Sequence, residues 1–243
     1  MNKIKGLIRY LIKEFKYIFS REELITSLDW DKHWLTGKAW VPNRLYIICD
    51  IIKSCINRKA SVADMGAGGG DLLKLLLEKQ IITKDSLGVD VSESGIARIK
   101  NLGLNGMVAD VTSKDFNLPR QYDFITLVEL VEHIRDCEEV IIKLKSKSLQ
   151  GIIVTTPNLG YFPFRLRLLF GRFPHMPHLP PREHVRFWTV VDFKIWAHQL
   201  GFKVMTVKGC SGFPTLFKIW PSLFANDVLY WVVYDGNKKD QPI

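Results

Sequence analysis

No apolar stretch in the 243 residues reaches the roughly 18 that a membrane-spanning helix needs, so a helical integral membrane protein is not expected. Cysteine is scarce, and Cys49, Cys55, Cys137 and Cys210 are scattered without a C-x-x-C pair. That speaks against a disulfide framework or a thiolate zinc site and for reduced thiols in a cytoplasmic protein. There is no internal repeat and no low-complexity tract. Acid is the minority charge, with 25 Asp and Glu against 34 Lys and Arg and a formal net charge of +9. Such a balance favours an anionic partner, whether nucleic acid, anionic lipid or a phosphorylated substrate, without choosing among them. The G-x-G-x-x-G spacing that holds a dinucleotide pyrophosphate is also missing. The glycines fall instead as G-x-G-G-G, at Gly66, Gly68, Gly69 and Gly70.

These glycines sit in the stretch V-A-D-M-G-A-G-G-G-D, residues 62–71, around which the chain is organised. Val62 and Ala63 end an apolar run with the character of a buried strand. Leu72, Leu73, Leu75, Leu76 and Leu77 open an amphipathic helix. Glycine lets the chain turn between them and lets backbone approach a ligand closely. A strand, a glycine turn and a helix N-terminus together make a nucleotide-type site.

Downstream, Ser86–Asp90 reads as a short strand ending in an acid, about 20 residues past the turn, where a carboxylate can accept from both ribose hydroxyls. Gly106–Asp110 is a second strand ending in an acid. Tyr122–Val128 and Gly151–Thr156 are further strands, and 202–207 and 228–234 suit two more. Helices are predicted over 44–56, from 71, over 93–101, 136–147 and 190–200. Strand and helix alternating at this spacing predict a parallel, doubly wound α/β sheet. Its ligands belong at the carboxyl ends of the strands, where Gly66, Asp90, Asp110 and Glu129 would all lie.

On these residues the chain resembles the class I S-adenosylmethionine-dependent methyltransferases, over roughly residues 45–235. D-M-G-A-G-G-G is similar to the family's first motif, which makes Asp64, Gly66, Ala67, Gly68 and Gly70 candidate cofactor contacts. Asp90 and Val91 stand where the family binds the ribose, and Asp110 and Val111 where it reads the adenine. Asp123–Val128 resembles the fourth motif, with Val128 at its end. The resemblance implies a Rossmann-like seven-stranded sheet with the last strand antiparallel, and S-adenosyl-L-methionine as methyl donor. The domain plan expected is an amphipathic and cap segment over 1–43, a methyltransferase domain over 44–235 with a lid or substrate insertion at 157–188, and a tail at 236–243.

Glu129-x-x-Glu132-His133 follows the fourth strand, and His184 opens H-V-R-F-W-T-x-x-x-F-x-x-W farther on. If 129–133 formed a first helical turn, Glu129 would share a face with Glu132 and His133. Carboxylates with an occasional imidazole suit Mg²⁺ or Mn²⁺. The pairing of E-x-x-E-H with the later histidine motif is similar to the metal-dependent small-RNA 2′-O-methyltransferases. E-x-x-E-H alone also resembles ubiquinone-biosynthesis O-methyltransferases. That likeness implies Glu129, Glu132, His133 and His184 as metal ligands. Two alternatives stand beside it: metal-free proton chemistry by His133 and Glu129, since a histidine titrates near working pH, and a purely structural role.

P-N-L-G-Y-F-P-F-R-L-R-L-L-F-G-R-F-P, from Pro157, resembles the corresponding stretch of MetW-type methionine-biosynthesis proteins and of methyltransferases from bacterial glycan and lipid gene clusters. Arg165, Arg167, Arg172 and Arg182 are expected to put positive charge beside the cleft. Pro174, Pro177, Pro180 and Pro181 rule out a regular helix across 174–181, so His175 and His178 lose helical spacing. Trp30, His33, Trp34 and Trp40 form an aromatic segment suited to covering a cleft. Phe213, Phe217, Trp220 and Phe224 in a loop over 212–224 suit an apolar wall.

Residues 1–20 carry Ile4, Leu7, Ile8, Leu11, Ile12, Phe15, Ile18 and Phe19 at helical spacing, opposite a basic face, with too many charges for a signal-peptide core. Such a helix either packs on its own domain or lies on anionic lipid at the inner face of the membrane. The function expected is O-methylation of a hydroxyl on a sugar, glycan or lipid-linked intermediate. An RNA ribose 2′-O-methyltransferase, with nucleic acid as partner, is the alternative enzyme. A non-catalytic, cofactor-sensing partner of a biosynthetic enzyme is the alternative outside catalysis.

Overall fold

A computed structural model describes residues 2–19, 42–174 and 183–236. Seven strands form one sheet: β1 (Val62–Met65), β2 (Leu87–Asp90), β3 (Asn105–Val108), β4 (Tyr122–Val128), β5 (Ser148–Pro157), β6 (Phe202–Gly209) and β7 (Asp227–Tyr234). Their order is β3-β2-β1-β4-β5-β7-β6. The first five run parallel, and β7 is antiparallel to both β5 and β6. This is the expected doubly wound, Rossmann-like sheet with its last strand reversed. The order reverses between β1 and β4, and that switch point opens a crevice at the carboxyl ends of the two strands.

The helices are α1 (Asn2–Phe19), α2 (Asn43–Cys55), α3 (Asp71–Glu78), α4 (Glu93–Asn101), α5 (Cys137–Leu144), α6 (Phe162–Leu169), α7 (Val190–Gln199), α8 (Leu216–Ile219) and α9 (Pro221–Phe224). One face of the sheet packs on α2, α3 and α4 through Ile48, Ile52, Leu73, Leu76, Ile96 and Ile99. The other packs on α5 and α7, where Phe193 stacks on Tyr230 with ring centroids 3.7 Å apart. Helix α2 begins after Pro42 without a side-chain cap, which forgoes about 1 kcal/mol. Burial of Leu45, Ile48 and Ile52, at roughly 1.5–3 kcal/mol each, outweighs that loss.

Two local expectations change, and the stretch expected as a lid or insertion gains a helix. The helix expected over 136–147 is α-helical only to Leu144 and tightens to 3₁₀ over Lys145–Lys147. Residues 129–133 are not a helical turn: Glu129 has φ +51°, and only Val131–His133 forms a 3₁₀ turn. The stretch after Pro157 contains α6, with Pro163 in its first turn, where proline needs no amide partner. Helix α6 packs against α1 through a third apolar cluster of Tyr17, Tyr161, Phe164 and Phe213. The aromatic residues Trp30, His33, Trp34 and Trp40, the histidines His175 and His178, Arg182 and the expected tail lie outside the described residues, apart from Gly236. Among the described residues no helix is long and apolar enough to cross a membrane.

Candidate active site

At the carboxyl end of β1 the chain passes Gly66, Gly68 and Gly70 at φ +66°, +51° and +80°, all left-handed. A side chain at Gly66 would be strained and would also meet Leu130 at 2.8 Å. Gly70 is the N-cap residue of α3. Two backbone bonds staple the turn: Ala67 N donates to the Val89 carbonyl at 3.0 Å and Gly70 N to the Ala67 carbonyl at 2.8 Å. Asp90, ending β2, accepts from Gly68 N at 2.7 Å and from Ser92 N at 2.8 Å. Each carboxylate oxygen keeps a second acceptor position, so this acid can hold the turn and still take hydroxyls. Ser92 in turn caps α4 by accepting from Gly95 N at 3.1 Å.

Asp64 is buried beneath the turn, accepts from Thr126 Oγ1 at 2.6 Å, and has its pKa pushed up to about 7 by burial. Asp110, two residues beyond β3, holds its own loop by accepting from Thr112 N and Oγ1 at 2.8 and 2.7 Å. Val111 is buried, Val91 exposed, and Val128 half-buried at the end of β4. The sheet order therefore lays the glycine turn, Asp90 and Val128 on neighbouring strand ends, with Asp110 just past the next. Asp123 has a different place. At the opposite end of β4 it accepts from Ser61 N at 2.7 Å and from Arg58 Nη2 at 2.6 Å, clamping β4 to the residue before β1.

Beyond β4, Glu129 takes its left-handed φ because the backbone must leave the sheet abruptly; its amide donates to Thr155 Oγ1 at 3.0 Å. Thr155 Oγ1 in turn donates to Glu129 Oε1 at 2.9 Å. Arg44, from α2, places Nη1 3.9 Å from Glu129 Oε2 and 3.3 Å from Asp227 Oδ2. Burial, followed by the nearby Glu129 carboxylate, pushes the Asp227 pKa up to about 6.

Glu132 is 1% exposed, and neither of its carboxylate oxygens has a hydrogen-bond partner among the described residues. Burial and the charge of Glu129 push its pKa far above the usual carboxylate range. His133 Nδ1 donates to the Glu183 carbonyl at 2.7 Å, which fixes the tautomer and makes Nε2 the lone-pair nitrogen of the neutral ring. Val185 N and Arg186 N both donate to the Glu132 carbonyl, at 2.9 and 3.1 Å, and draw the 183–186 segment over the 3₁₀ turn. This seats His184 edge-on to His133, with ring centroids 4.7 Å apart. His184 Nε2 is buried without a partner among the described residues, and burial with the neighbouring imidazole pushes its pKa down to about 4.

One ligand atom each from Glu132, His133 and His184 lies within 4.8 Å of the others. A buried carboxylate with no partner is costly, and two neutral imidazoles beside it complete a mixed oxygen and nitrogen donor set that a divalent cation would satisfy. The expected Glu129 lies outside this group, its carboxylate taken up by Thr155 and Arg44. Beside His184 opens a small recess of about 30 Å³ lined by Pro157, Leu159, Phe164, Pro174, Arg186 and Phe187.

Sequence reasoning missed Arg44 and Asp227. One lies in a helix N-terminus and the other in the first position of a strand, and nothing in the local pattern pairs them. It also placed Arg167 beside the cleft, whereas that guanidinium is buried against the end of α1, donating to the Tyr17 carbonyl at 2.5 Å. Arg165, by contrast, donates to the Gly160 carbonyl at 2.6 Å.

The family model of MetW, described as methionine biosynthesis protein MetW, matches residues 48–232. The chain belongs to the MetW family. It is an S-adenosylmethionine-dependent methyltransferase of class I. A small RNA 2′-O-methyltransferase of Arabidopsis thaliana is 28% identical over 58% of the MetW-family chain and 17% of its own length. One of Tetrahymena thermophila is 27% identical over 71% and 45%. The chain thus spans less than half the length of either. A ubiquinone biosynthesis O-methyltransferase of Coxiella burnetii is 25% identical over 78% of the chain and 85% of its own. Among solved structures, the methyltransferase domain of bacterial CtHen1-C superposes with a TM-score of 0.56 at 24% identity, covering 80% of this chain and 98% of that one. A methyltransferase from Clostridium acetobutylicum gives 0.57 at 15%, covering 97% and 99%. These last two are likenesses of fold.

Proposed function

We propose that this methyltransferase transfers a methyl group to a hydroxyl oxygen of a sugar, glycan or lipid-linked intermediate, with a divalent cation held by Glu132, His133 and His184. The observation that carries the reading is the fully buried Glu132 carboxyl group, without a hydrogen-bond partner among the described residues, beside two imidazoles. S-adenosylmethionine supplies a methyl group on a positively charged sulfur. The glycine turn and Asp90 hold the ribose end of that donor, with Asp64, Ala67 and Val91 around it. Asp110 and Val111 flank the adenine, and Val128 lies under the reacting end. A cation such as Mn²⁺ or Mg²⁺ would lower the pKa of a hydroxyl beside it.

Glu129, held by Thr155 and Arg44 outside this group, orients the acceptor hydroxyl and takes up its proton. The Glu183 carbonyl fixes the His133 ring, so that Nε2 stays directed by a backbone contact and not by a mobile side chain.

Methylation of an RNA ribose is the second reading, favoured by the similarity to small RNA 2′-O-methyltransferases and by the net charge of +9. The experiment that separates them is transfer of labelled methyl to glycolipid, RNA and small-molecule fractions of a lysate, with chelator and with Mn²⁺ or Mg²⁺ restored. Label in the glycolipid or small-molecule fraction, lost with chelator, is expected. Label confined to RNA overturns the acceptor, and label insensitive to chelator overturns the cation.

A further inference from the structure

Helix α1 presents three faces, and the one that docks on the domain is not its most apolar one. The docked face carries Tyr10, Tyr17 and Ile18. Tyr10 and Tyr161 share a hydroxyl hydrogen bond, and the Tyr10 ring meets Phe213 edge-on at 5.3 Å. Tyr17 and Ile18 are buried. Arg167 of α6 fixes the end of the helix, its guanidinium 4.7 Å from the Tyr17 ring and its Nη1 on the Tyr17 carbonyl. A buried cation on the last carbonyls of a helix also complements the helix dipole. These contacts set the rotation of α1 about its own axis.

That rotation leaves Ile8, Leu11, Ile12, Phe15 and Phe19 outward, each 45–65% exposed. At 3.6 residues per turn they share an arc of about 100°. Phe15 meets Phe19 at 5.3 Å, and Phe19 meets Phe170 beyond α6 at 5.4 Å. Leu169 and Phe173 beside Phe170 are exposed as well, so the patch runs across two elements. On the far side of the arc lie Arg9, Lys13 and Lys16, all exposed. Monomeric soluble proteins seldom leave a contiguous apolar patch of this kind open without a use for it.

We infer that this face, formed by α1 and the end of α6, docks on an anionic lipid bilayer. An apolar strip bordered by a basic flank matches both halves of such a surface, the acyl boundary and the negative headgroups. A second copy of the chain fits less well, because a two-fold contact across α1 would bring the same basic flanks close together. With Arg9, Lys13, Glu14 and Lys16 in the helix, α1 lies on the bilayer and does not span it. The inference stands on α1 and α6 alone and is independent of the acceptor.

The test is flotation of the full chain with vesicles of phosphatidylcholine, with and without phosphatidylglycerol. The wild type is expected to float with the anionic vesicles only, and less so at high salt. The double variants Phe15→Glu/Phe19→Glu and Lys13→Glu/Lys16→Glu are each expected to lower the bound fraction about tenfold. Because these side chains are exposed, thermal unfolding should be unchanged; if the first variant unfolds, Ile8→Glu/Ile12→Glu replaces it. Failure of the wild type to float with anionic vesicles overturns the proposal, as does a variant that floats like the wild type. So does a wild-type dimer that Phe15→Glu/Phe19→Glu converts to monomer without any vesicle binding.

Discussion

His184 stands edge-on to His133, ring centroids 4.7 Å apart, because two backbone amides following His184 donate to the carbonyl of Glu132. The chain carrying the second imidazole is therefore tied to the residue that supplies the carboxylate, and the three side chains are set as a unit.

Replacing Glu132 by Gln puts a neutral amide in place of a carboxyl group that burial and the nearby Glu129 hold toward its protonated form. Without metal, the variant should unfold close to the wild-type temperature, since neither side chain then carries a charge in the buried site. The stabilisation of the wild type by millimolar Mn²⁺ should disappear, and His184→Ala should weaken it roughly 10–100-fold. Thermal shift with and without Mn²⁺ measures this. An undiminished shift in both variants would rule out the cation site.

Arg44 compensates two carboxylates, Glu129 just past β4 and Asp227 at the start of β7. Arg44→Ala should cost about 1–3 kcal/mol in chemical unfolding, as both acids lose their counter-charge. Adding Asp227→Asn should recover part of that loss, and a strictly additive double variant would show the pair to be uncoupled.

Asp90 both anchors the glycine turn and presents acceptor positions to a ribose. Asp90→Ala should weaken binding of S-adenosylhomocysteine about ten- to a hundredfold, the equivalent of roughly 1.5–3 kcal/mol for a charged hydrogen bond. Calorimetric titration reads this directly, and an unchanged affinity would move the donor site elsewhere.

Asp64 gives stability a pH dependence of defined sign. Its folded pKa is raised by burial to about 7, above the ordinary carboxylate value of 3.8. The folded state thus keeps a proton that the unfolded chain releases. This contribution is present in full below the unfolded value and is lost as pH rises through about 7. Asp64→Asn, which keeps a partner for Thr126, should flatten the dependence of the unfolding temperature between those limits. An identical slope in wild type and variant would assign the effect to other groups.

The donor half of the site was legible because each of its parts is local. A glycine turn between an apolar strand and a leucine-rich helix, with acids ending the next two strands, is a pattern of neighbours in sequence, and the parallel sheet then sets those strand ends side by side. The acceptor half was less so. E-x-x-E-H suggested one helical face, but Thr155 and Arg44 hold Glu129 outside the group in a left-handed conformation, and a 3₁₀ turn carries only Glu132 and His133.

Local pattern alone determined the strand and helix sequence, the glycine turn and the amphipathic character of residues 2–19, since periodicity and backbone freedom are properties of adjacent residues. Tertiary structure decided which ionisable groups share a site and which face of α1 is left open. Arg44 meets Asp227, and Arg167 caps α1, through contacts between residues far apart in the chain. Those choices depend on the burial and pairing of charge, which are fixed only when distant elements pack together.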